Sequence, residues 1–314
     1  MNRESFEFLS KRVQCPKCGS TRGFAPFKDV EGGYCHSCGA TIFPDNFQSK
    51  ERRKIPGKKK IETVQRFIDK AIVDGLPKFE KSVFAEYFGN LFGDGFIWHC
   101  ENCFDVRSDK YRATVFIYRN YNGNFINAKS IHYQTNGKRD KQGFEVLINN
   151  EIVYFPAVFG YRTGKDGEFD KIEFFSKSKG YKQCLFNEYF LNPTNIPFSS
   201  YDLEIDYNEN TPVILLESEK SVLIASYFFP EYIYIATGGV NGLTPDKAEK
   251  LKGRRVFICY DSGTSEGSKK TFKLLNEIGI KAKIINLFED CNVPAGFDVA
   301  DSVEFFFKGG KLRT

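Results

Sequence analysis

The chain has 314 residues and a formal net charge of +5, from 45 Lys and Arg against 40 Asp and Glu. That length holds more than one domain, and no apolar run reaches the roughly 20 residues needed to cross a bilayer, so no membrane partner is expected. With 33 Phe and 16 Tyr against one Trp and one Met, the core is expected to be built largely on phenylalanine.

In chain order, the first feature is a set of four cysteines. Cys15, Cys18, Cys35 and Cys38 stand as C-x2-C, a gap of sixteen residues, then C-x2-C, each pair in a Gly-bearing turn, CPKCGS and CHSCGA. Such turns let two thiolates point at one ion in tetrahedral geometry. Two disulfides are the alternative, but they need an oxidising compartment, and MNRESFEFLSKRV holds no apolar stretch suited to secretion. The reading is a zinc ribbon over residues 1–48 of a cytoplasmic protein, with zinc supplying on the order of 10 kcal/mol of folding free energy. His36 is surplus, because four cysteines complete the tetrahedron.

Residues 49–60 read as a basic linker. KERRKIPGKKK, with Arg52, Arg53 and Lys54, is either a solvated connection or a phosphate contact. Residues 61–206 read as an α+β domain. Apolar positions at Ile61, Val64, Phe67, Ile68 and Ile72 predict a helix that Gly75 and Pro77 close, and a second short helix is predicted over Ser82 to Leu91. The segments ATVFIYR, GNFINAKSIHY, FEVLINN and EIVYFPAVFGY then predict strands, the first two joined by a turn at YNGN. His99, Cys100 and Cys103 in WHCENC are either a metal half-site or buried thiols, and without a partner knuckle the thiols are preferred. Lys129, His132, Lys138, Arg139 and Lys141 are interleaved with Tyr133 and Phe144, a mixture that suits single-stranded nucleic acid and equally a solvated strand face. Cys184, Cys259 and Cys291 are scattered and read as core or incidental residues.

From 207 to 314 the runs PVILLE, YIYIAT, RRVFICYD and KAKIINL are separated by helical segments. They are too apolar to alternate, as in strands buried on both faces of a parallel sheet. Right-handed crossovers bring every loop after a strand to one edge, where ligands of open α/β sheets bind. Glu217 ends the first run, Asp261 ends the third, and Asp298 and Asp301 in GFDVAD follow the fourth. Singly each is an ordinary cap or solvated acid; together they offer the oxygen ligands that magnesium or manganese requires. Gly238 and Gly239 in TGGVNG predict a tight turn or a close backbone approach to phosphate. Lys220, Lys269 and Lys270 read as phosphate contacts or as helix-surface lysines.

The stretches VILLESEKSVLIAS, ATGGVNGL, VFICYDSG and FDVADSV resemble the Toprim domain of bacterial-type primases, topoisomerases and some nucleases. The resemblance implies that Glu217 serves in acid/base chemistry or in a metal site. It also implies that Asp261 is the first Asp of a magnesium-binding Asp-x-Asp. Gly263 stands where the second Asp is expected, and Glu266 or Asp301 are the candidate replacements. Upstream, ATVFIYRNYNGNFINAKSIHY is similar to the N-terminal half of a primase core, and QCLFNEYFL to the segment joining that half to Toprim. ESEKSVLIAS, ATGGVNGL and QCLFNEYFL together resemble Toprim-like proteins of mobile genetic elements.

The expectation is therefore an α/β protein with an N-terminal zinc ribbon, a central α+β domain resembling the N-terminal half of a primase core, and a C-terminal Toprim-like βα domain with a parallel sheet. The resemblance implies a primase-like replication protein of a mobile element, with single-stranded DNA as partner, nucleoside triphosphates as substrates where active, and a helicase as a candidate partner. Its cofactors would be zinc and magnesium or manganese, its catalytic and metal residues Glu217, Asp261 and Asp301, and its nucleic-acid contacts Arg52, Arg53, Lys54, Lys129, Lys138, Arg139 and Lys220. The alternative is a catalytically degenerate nucleic-acid-binding protein, motivated by Gly263. A Toprim nuclease or topoisomerase ranks third, because a ribbon and a primase-like region precede the sheet.

Overall fold

The computed structural model describes residues 9, 12–21, 23–28, 32–42, 67–141, 144–148, 151–155, 158–163, 169–173, 184–195, 207–288 and 291–310. The chain divides into two compact units, Met1–Lys60 and Ile61–Thr314. Arg52, Arg53 and Lys54, expected to meet phosphate, lie outside the described residues.

In the first unit β1 (Phe24–Pro26), β2 (Gly33–Cys35) and β3 (Thr41–Ile42) form an antiparallel sheet in the order β1-β2-β3. Its hydrophobic cluster consists of Cys15, Phe24 and Cys35 with Ile42 against them. A core of that size cannot hold a fold, so another source of cohesion is required. The two cysteine turns are copies of each other: Gly19 N–H donates to Cys15 O and Gly39 N–H to Cys35 O, both at 2.9 Å. Both glycines sit at φ 73°, a left-handed conformation that side chains disfavour.

The second unit opens with α1 (Lys70–Asp74), α2 (Val83–Phe92) and α3 (Asp94–Phe104). Of the helix expected from Ile61, residues 61–66 lie outside the described residues, residues 67–69 are not helical, and α1 begins at Lys70. Ile68 instead donates its N–H to Phe125 O at 2.7 Å, and Asp69 caps the helix by accepting from Ala71 N–H. Ser82 caps α2 through Ala85 N–H at 3.0 Å, close to the expected start. Helix α3 was not expected. It puts Phe96, Cys100, Cys103 and Phe104 into the core, so Cys100 and Cys103 are buried thiols whose pKa values burial pushes up.

An antiparallel sheet follows, built from β4 (Arg107–Ser108), β5 (Thr114–Arg119), β6 (Phe125–Ile131), β9 (Val158–Thr163) and β10 (Phe169–Glu173) in the order β10-β9-β6-β5-β4. Strands β7 (Phe144–Ile148) and β8 (Glu151–Phe155) pair as a separate two-stranded ribbon. Alternation sorts the side chains of β5: Val115 and Ile117 pack with Ile68 and Val73 on one face, while Phe116 joins the main core on the other.

The C-terminal sheet contains β11 (Val213–Leu216), β12 (Ile233–Ala236), β13 (Val256–Ile258) and β14 (Ala282–Ile284) in the order β12-β11-β13-β14, parallel throughout. Helices α4 (Glu219–Phe228), α5 (Pro245–Ala248), α6 (Ser265–Glu277) and α7 (Val299–Phe307) complete it. Every residue of β12 is buried, as the unbroken apolar run anticipated. Phe186 of QCLFNEYFL bridges antiparallel to Ala236 and so closes the outer edge of β12. One hydrophobic core runs from Phe79 through to Val303, so the expected boundary at 206/207 marks a change of sheet type inside a shared core. Phenylalanine dominates it, with the Phe84 ring 4.5 Å from Phe88 and 4.7 Å from Tyr133. Among the described residues no helix is long and apolar enough to cross a membrane.

His99 of α3 lies against Phe104 and Tyr227, with its Nε2 2.9 Å from Ser226 Oγ. Burial lowers its pKa to about 4. The unfolded chain takes up this proton near pH 6.5 and the folded chain does not, so the stability is complete above about pH 6.5 and is lost as pH falls toward 4. Urea unfolding across that window should give His99→Gln a shallower acid limb, by on the order of 3 kcal/mol. Parallel limbs for the two proteins would refute a buried neutral imidazole.

Candidate functional site

The four cysteines form a complete ligand set. Cys15 Sγ is 4.0 Å from Cys38 Sγ, Cys18 Sγ is 3.7 Å from Cys35 Sγ, and all four sulfurs lie within 4.8 Å of one another. Tetrahedral zinc with Zn–S bonds of about 2.3 Å needs sulfurs a little under 4 Å apart, so the set fits zinc. All four are free thiols. Cys15 and Cys35 are buried while Cys18 and Cys38 face solvent, which places the ion site at the edge of the small unit.

The second candidate site lies at the carboxyl ends of the parallel strands. Glu217 follows β11, and its place is fixed twice over. Its carbonyl accepts the N–H groups of Gly238 and Gly239, both at 3.0 Å, and its Oε1 accepts Asp261 N–H at 3.2 Å. The Gly238 and Gly239 amides are thus spent on Glu217 rather than turned toward a phosphate. The loop cannot easily relax: Gly238 and Gly239 have φ of 78° and 116°, and a Cβ at Gly242 would lie 1.8 Å from Thr237 O.

Asp261 lies three residues beyond the end of β13; its carbonyl accepts from the Thr264 N–H and hydroxyl, while its carboxylate accepts no hydrogen bond from the described residues. Burial, the Asp298 and Glu217 carboxylates and, more weakly, Asp301 raise its pKa to about 8, with Lys220 opposing them. Such a carboxyl, pushed toward its neutral form by acidic neighbours, suits a site completed by a cation. Gly263, two residues on, has φ 81°, and a Cβ there would sit 3.3 Å from the Ala295 Cβ. The left-handed turn therefore accounts for glycine where the Toprim pattern has Asp.

Asp298 and Asp301 are otherwise occupied. Asp298 caps α7 by accepting Asp301 N–H at 2.8 Å and also accepts from Ser221 Oγ at 2.9 Å. Asp301 closes the capping box on Asp298 N–H and takes Lys220 Nζ at 2.9 Å. Burial works against the Lys220 charge, but Asp298 and Asp301 outweigh it and hold its pKa above the ordinary lysine range. The predicted phosphate contact Lys220 is thus a counter-ion inside the rim, and Asp301 is not a free ligand. Among the described residues, the four cysteines are the only set of three or more His, Cys, Asp or Glu with ligand atoms all within 4.8 Å. Glu266 stands exposed on α6.

Lys129 also differs from its expected role. Its ammonium sits 2.8 and 3.0 Å from the two oxygens of Glu219, whose side chain is 2% exposed, and Tyr118 OH donates to the same carboxylate. Burial pushes Glu219 up, yet Lys129 and the hydrogen bonds outweigh it and leave the pKa below the usual carboxylate value. This triad was not anticipated, because its members come from β5, β6 and the first turn of α4. Lys138 and Arg139 remain exposed on the turn after β6, where Tyr133 bridges Arg139. The Tyr133 hydroxyl is pushed up by burial and by Glu219 and Asp298, with Arg139 opposing, so that turn shares the electrostatic surroundings of the rim.

The family model described as "Domain of unknown function (DUF6371)" matches residues 82–262, more than half of the chain. The chain belongs to the DUF6371 family. The DUF6371 match begins at the cap of α2 and ends just past Asp261, so it takes in Glu217 and the Tyr118–Glu219–Lys129 triad but stops before α6 and α7. No curated protein matches the sequence. Among solved structures, the zinc-binding and RNA polymerase domains of the Aquifex aeolicus primase align with TM-score 0.37 and 13% identity, covering 99% of this chain and 82% of that one. A chain of the bacteriophage T7 lagging-strand DNA polymerase assembly with gp4 primase domains aligns with TM-score 0.34 and 12% identity, covering 67% and 81%. A DNA primase domain from Pseudomonas aeruginosa aligns with TM-score 0.34 and 15% identity, covering 69% and 57%.

Proposed function

We propose that this chain is a primase-like nucleotidyltransferase of the replication machinery of a mobile genetic element, joining nucleoside triphosphates on a single-stranded DNA template. The observation that carries the reading is the environment of Asp261: a carboxyl without a hydrogen-bonding partner among the described residues, raised to about 8 by burial and by Asp298 and Glu217, on the lip of a parallel sheet. Glu217 and Asp261 would hold magnesium or manganese, which when bound supplies charge to offset the triphosphate and the departing pyrophosphate. Glu217, clamped by two glycine amides through its carbonyl, keeps its carboxylate against the Asp261 backbone and serves as the acid/base or metal-site residue. Asp301 joins them only if Lys220 exchanges its partner for a phosphate. The zinc ribbon, the linker with Arg52, Arg53 and Lys54, and the turn with Lys138 and Arg139 bind the template strand. A helicase is the natural partner for such an activity.

Primer synthesis from nucleoside triphosphates on a single-stranded template, with magnesium or manganese, tests the reading. Product is expected with wild-type protein, and Glu217→Gln should reduce it by at least about 100-fold. Absence of product under both metals, from folded protein, removes the enzymatic reading. The second reading, a nucleic-acid-binding protein without chemistry, is favoured by Gly263 in its left-handed turn and by the Lys220–Asp301 pair. It expects DNA affinity that falls steeply with salt while synthesis is absent.

A further inference from the structure

Helix α6 begins just after the Asp261 turn and packs on β13 and β14, leaving an outer face toward solvent. Its buried residues, Gly267, Ser268, Thr271 and Leu275, define the inner side. Lys269, Lys270 and Lys273 are exposed on the other arc, with the Phe272 ring 36% exposed beside them. Just beyond the helix, Lys281 immediately before β14 and Lys283 on β14, the edge strand of the parallel sheet, are exposed. The exposed acids of α6 are Glu266 and Glu277, and among the described residues Lys273 is the only one of these lysines with an acidic partner, Glu277 at 3.8 Å.

A face kept only for solubility mixes charges of both signs. Glu266 and Glu277 share the arc of Lys269, Lys270 and Lys273, and with Lys281 and Lys283 the exposed charges number five lysines to two glutamates, so the surface is net basic rather than balanced. Because α6 runs away from the rim, the stripe starts beside the acidic site and extends down the side of the sheet. Lysine is a point charge on a flexible stem, suited to phosphates of varying position rather than to base edges, and an exposed ring among lysines offers a surface for an unstacked base.

We infer that the outer face of α6, Lys269, Lys270 and Lys273 with Phe272, continued by Lys281 and, on β14, Lys283, is a docking surface for the sugar-phosphate backbone of a nucleic-acid strand leading to or from the strand-end rim. This rests on the nucleic-acid reading above and adds a path to it.

Fluorescence anisotropy of the full chain with a labelled 30-nucleotide single strand, over a salt series, tests the surface. The variant Lys269→Gln/Lys270→Gln/Lys273→Gln should bind at least about five-fold more weakly at low salt and should lower the slope of log affinity against log salt by about 2, roughly 0.7 per lost phosphate contact. A control with the same loss of charge elsewhere, Lys78→Gln/Lys81→Gln/Lys110→Gln, should keep the wild-type slope. Phe272→Ala should weaken binding without changing the slope. An unchanged slope in the α6 variant, an equal loss in the control, or competition by polyglutamate as effective as by unlabelled DNA would each overturn the inference. Primer synthesis measured on the same proteins separates the two proposals. A reduced slope without any synthesis keeps the surface and removes the polymerase, whereas synthesis with an unchanged slope does the reverse.

Discussion

Removal of zinc should unfold residues 12–42 while leaving the second unit folded. The cluster of Cys15, Phe24 and Cys35 with Ile42 is too small to offset the chain entropy of three short strands, whereas the four sulfurs already lie at zinc-binding separations. The ion then contributes on the order of 10 kcal/mol, nearly all of the stability of that unit. Wild-type protein should carry one zinc per chain, released when the thiols are modified in the presence of a chelator. Limited proteolysis should then cut between the two cysteine turns, while thermal unfolding of the larger unit, with its continuous core, keeps its midpoint. Cys35→Ser should behave as the stripped protein does. Protease resistance of the ribbon without metal would show that strands and turns suffice.

The second large effect concerns the triad inside the larger unit. Lys129→Met should destabilise the protein by about 3–5 kcal/mol, because it leaves the Glu219 carboxylate buried with no counter-charge. Adding Glu219→Gln should recover much of that loss, since an amide can still accept from Tyr118 and carries no charge. The pair of measurements distinguishes a buried clamp from a surface cation. If Lys129→Met costs less than about 1 kcal/mol by urea unfolding, the ammonium is solvated and Glu219 is neutral or wet. The position explains the sensitivity: Lys129 faces Phe116 across the β5–β6 pair, on the side that meets the main core, and Glu219 opens α4, where the helix dipole favours an acid.

The elements that were legible in the sequence are those set by local chemistry. The cysteine spacing is a constraint on ligand geometry within two turns, and the runs ending at Leu216, Ala236 and Ile258 are apolar because their strands are largely buried, whereas β14 at the sheet edge is only half-covered. Ser82 announced α2 by its capping chemistry. Helix α3 was obscured by the knuckle-like CENC, although Phe96, Cys100, Cys103 and Phe104 have helical spacing and could have revealed it. That residues 67–69 stand outside the first helix has a tertiary cause, since Ile68 pairs with Phe125, which lies far along the chain. Of the rim, the sequence indicated which acids arrive at the strand ends but not which are occupied. That Lys220 holds Asp301, that the Gly238 and Gly239 amides hold Glu217, and that Lys129 holds Glu219 all depend on pairings between distant elements. No periodicity or spacing encodes them.

The proposed sharing of a divalent cation by Glu217 and Asp261 at the strand ends is tested by calorimetric titration of the zinc-loaded chain with manganese. A single saturable site is expected in the wild type, lost in Glu217→Gln and in Asp261→Asn, and retained when Asp94, an exposed acid on α3, is changed to Asn. No binding by folded wild-type protein, or isotherms that both rim substitutions leave unchanged, would contradict it.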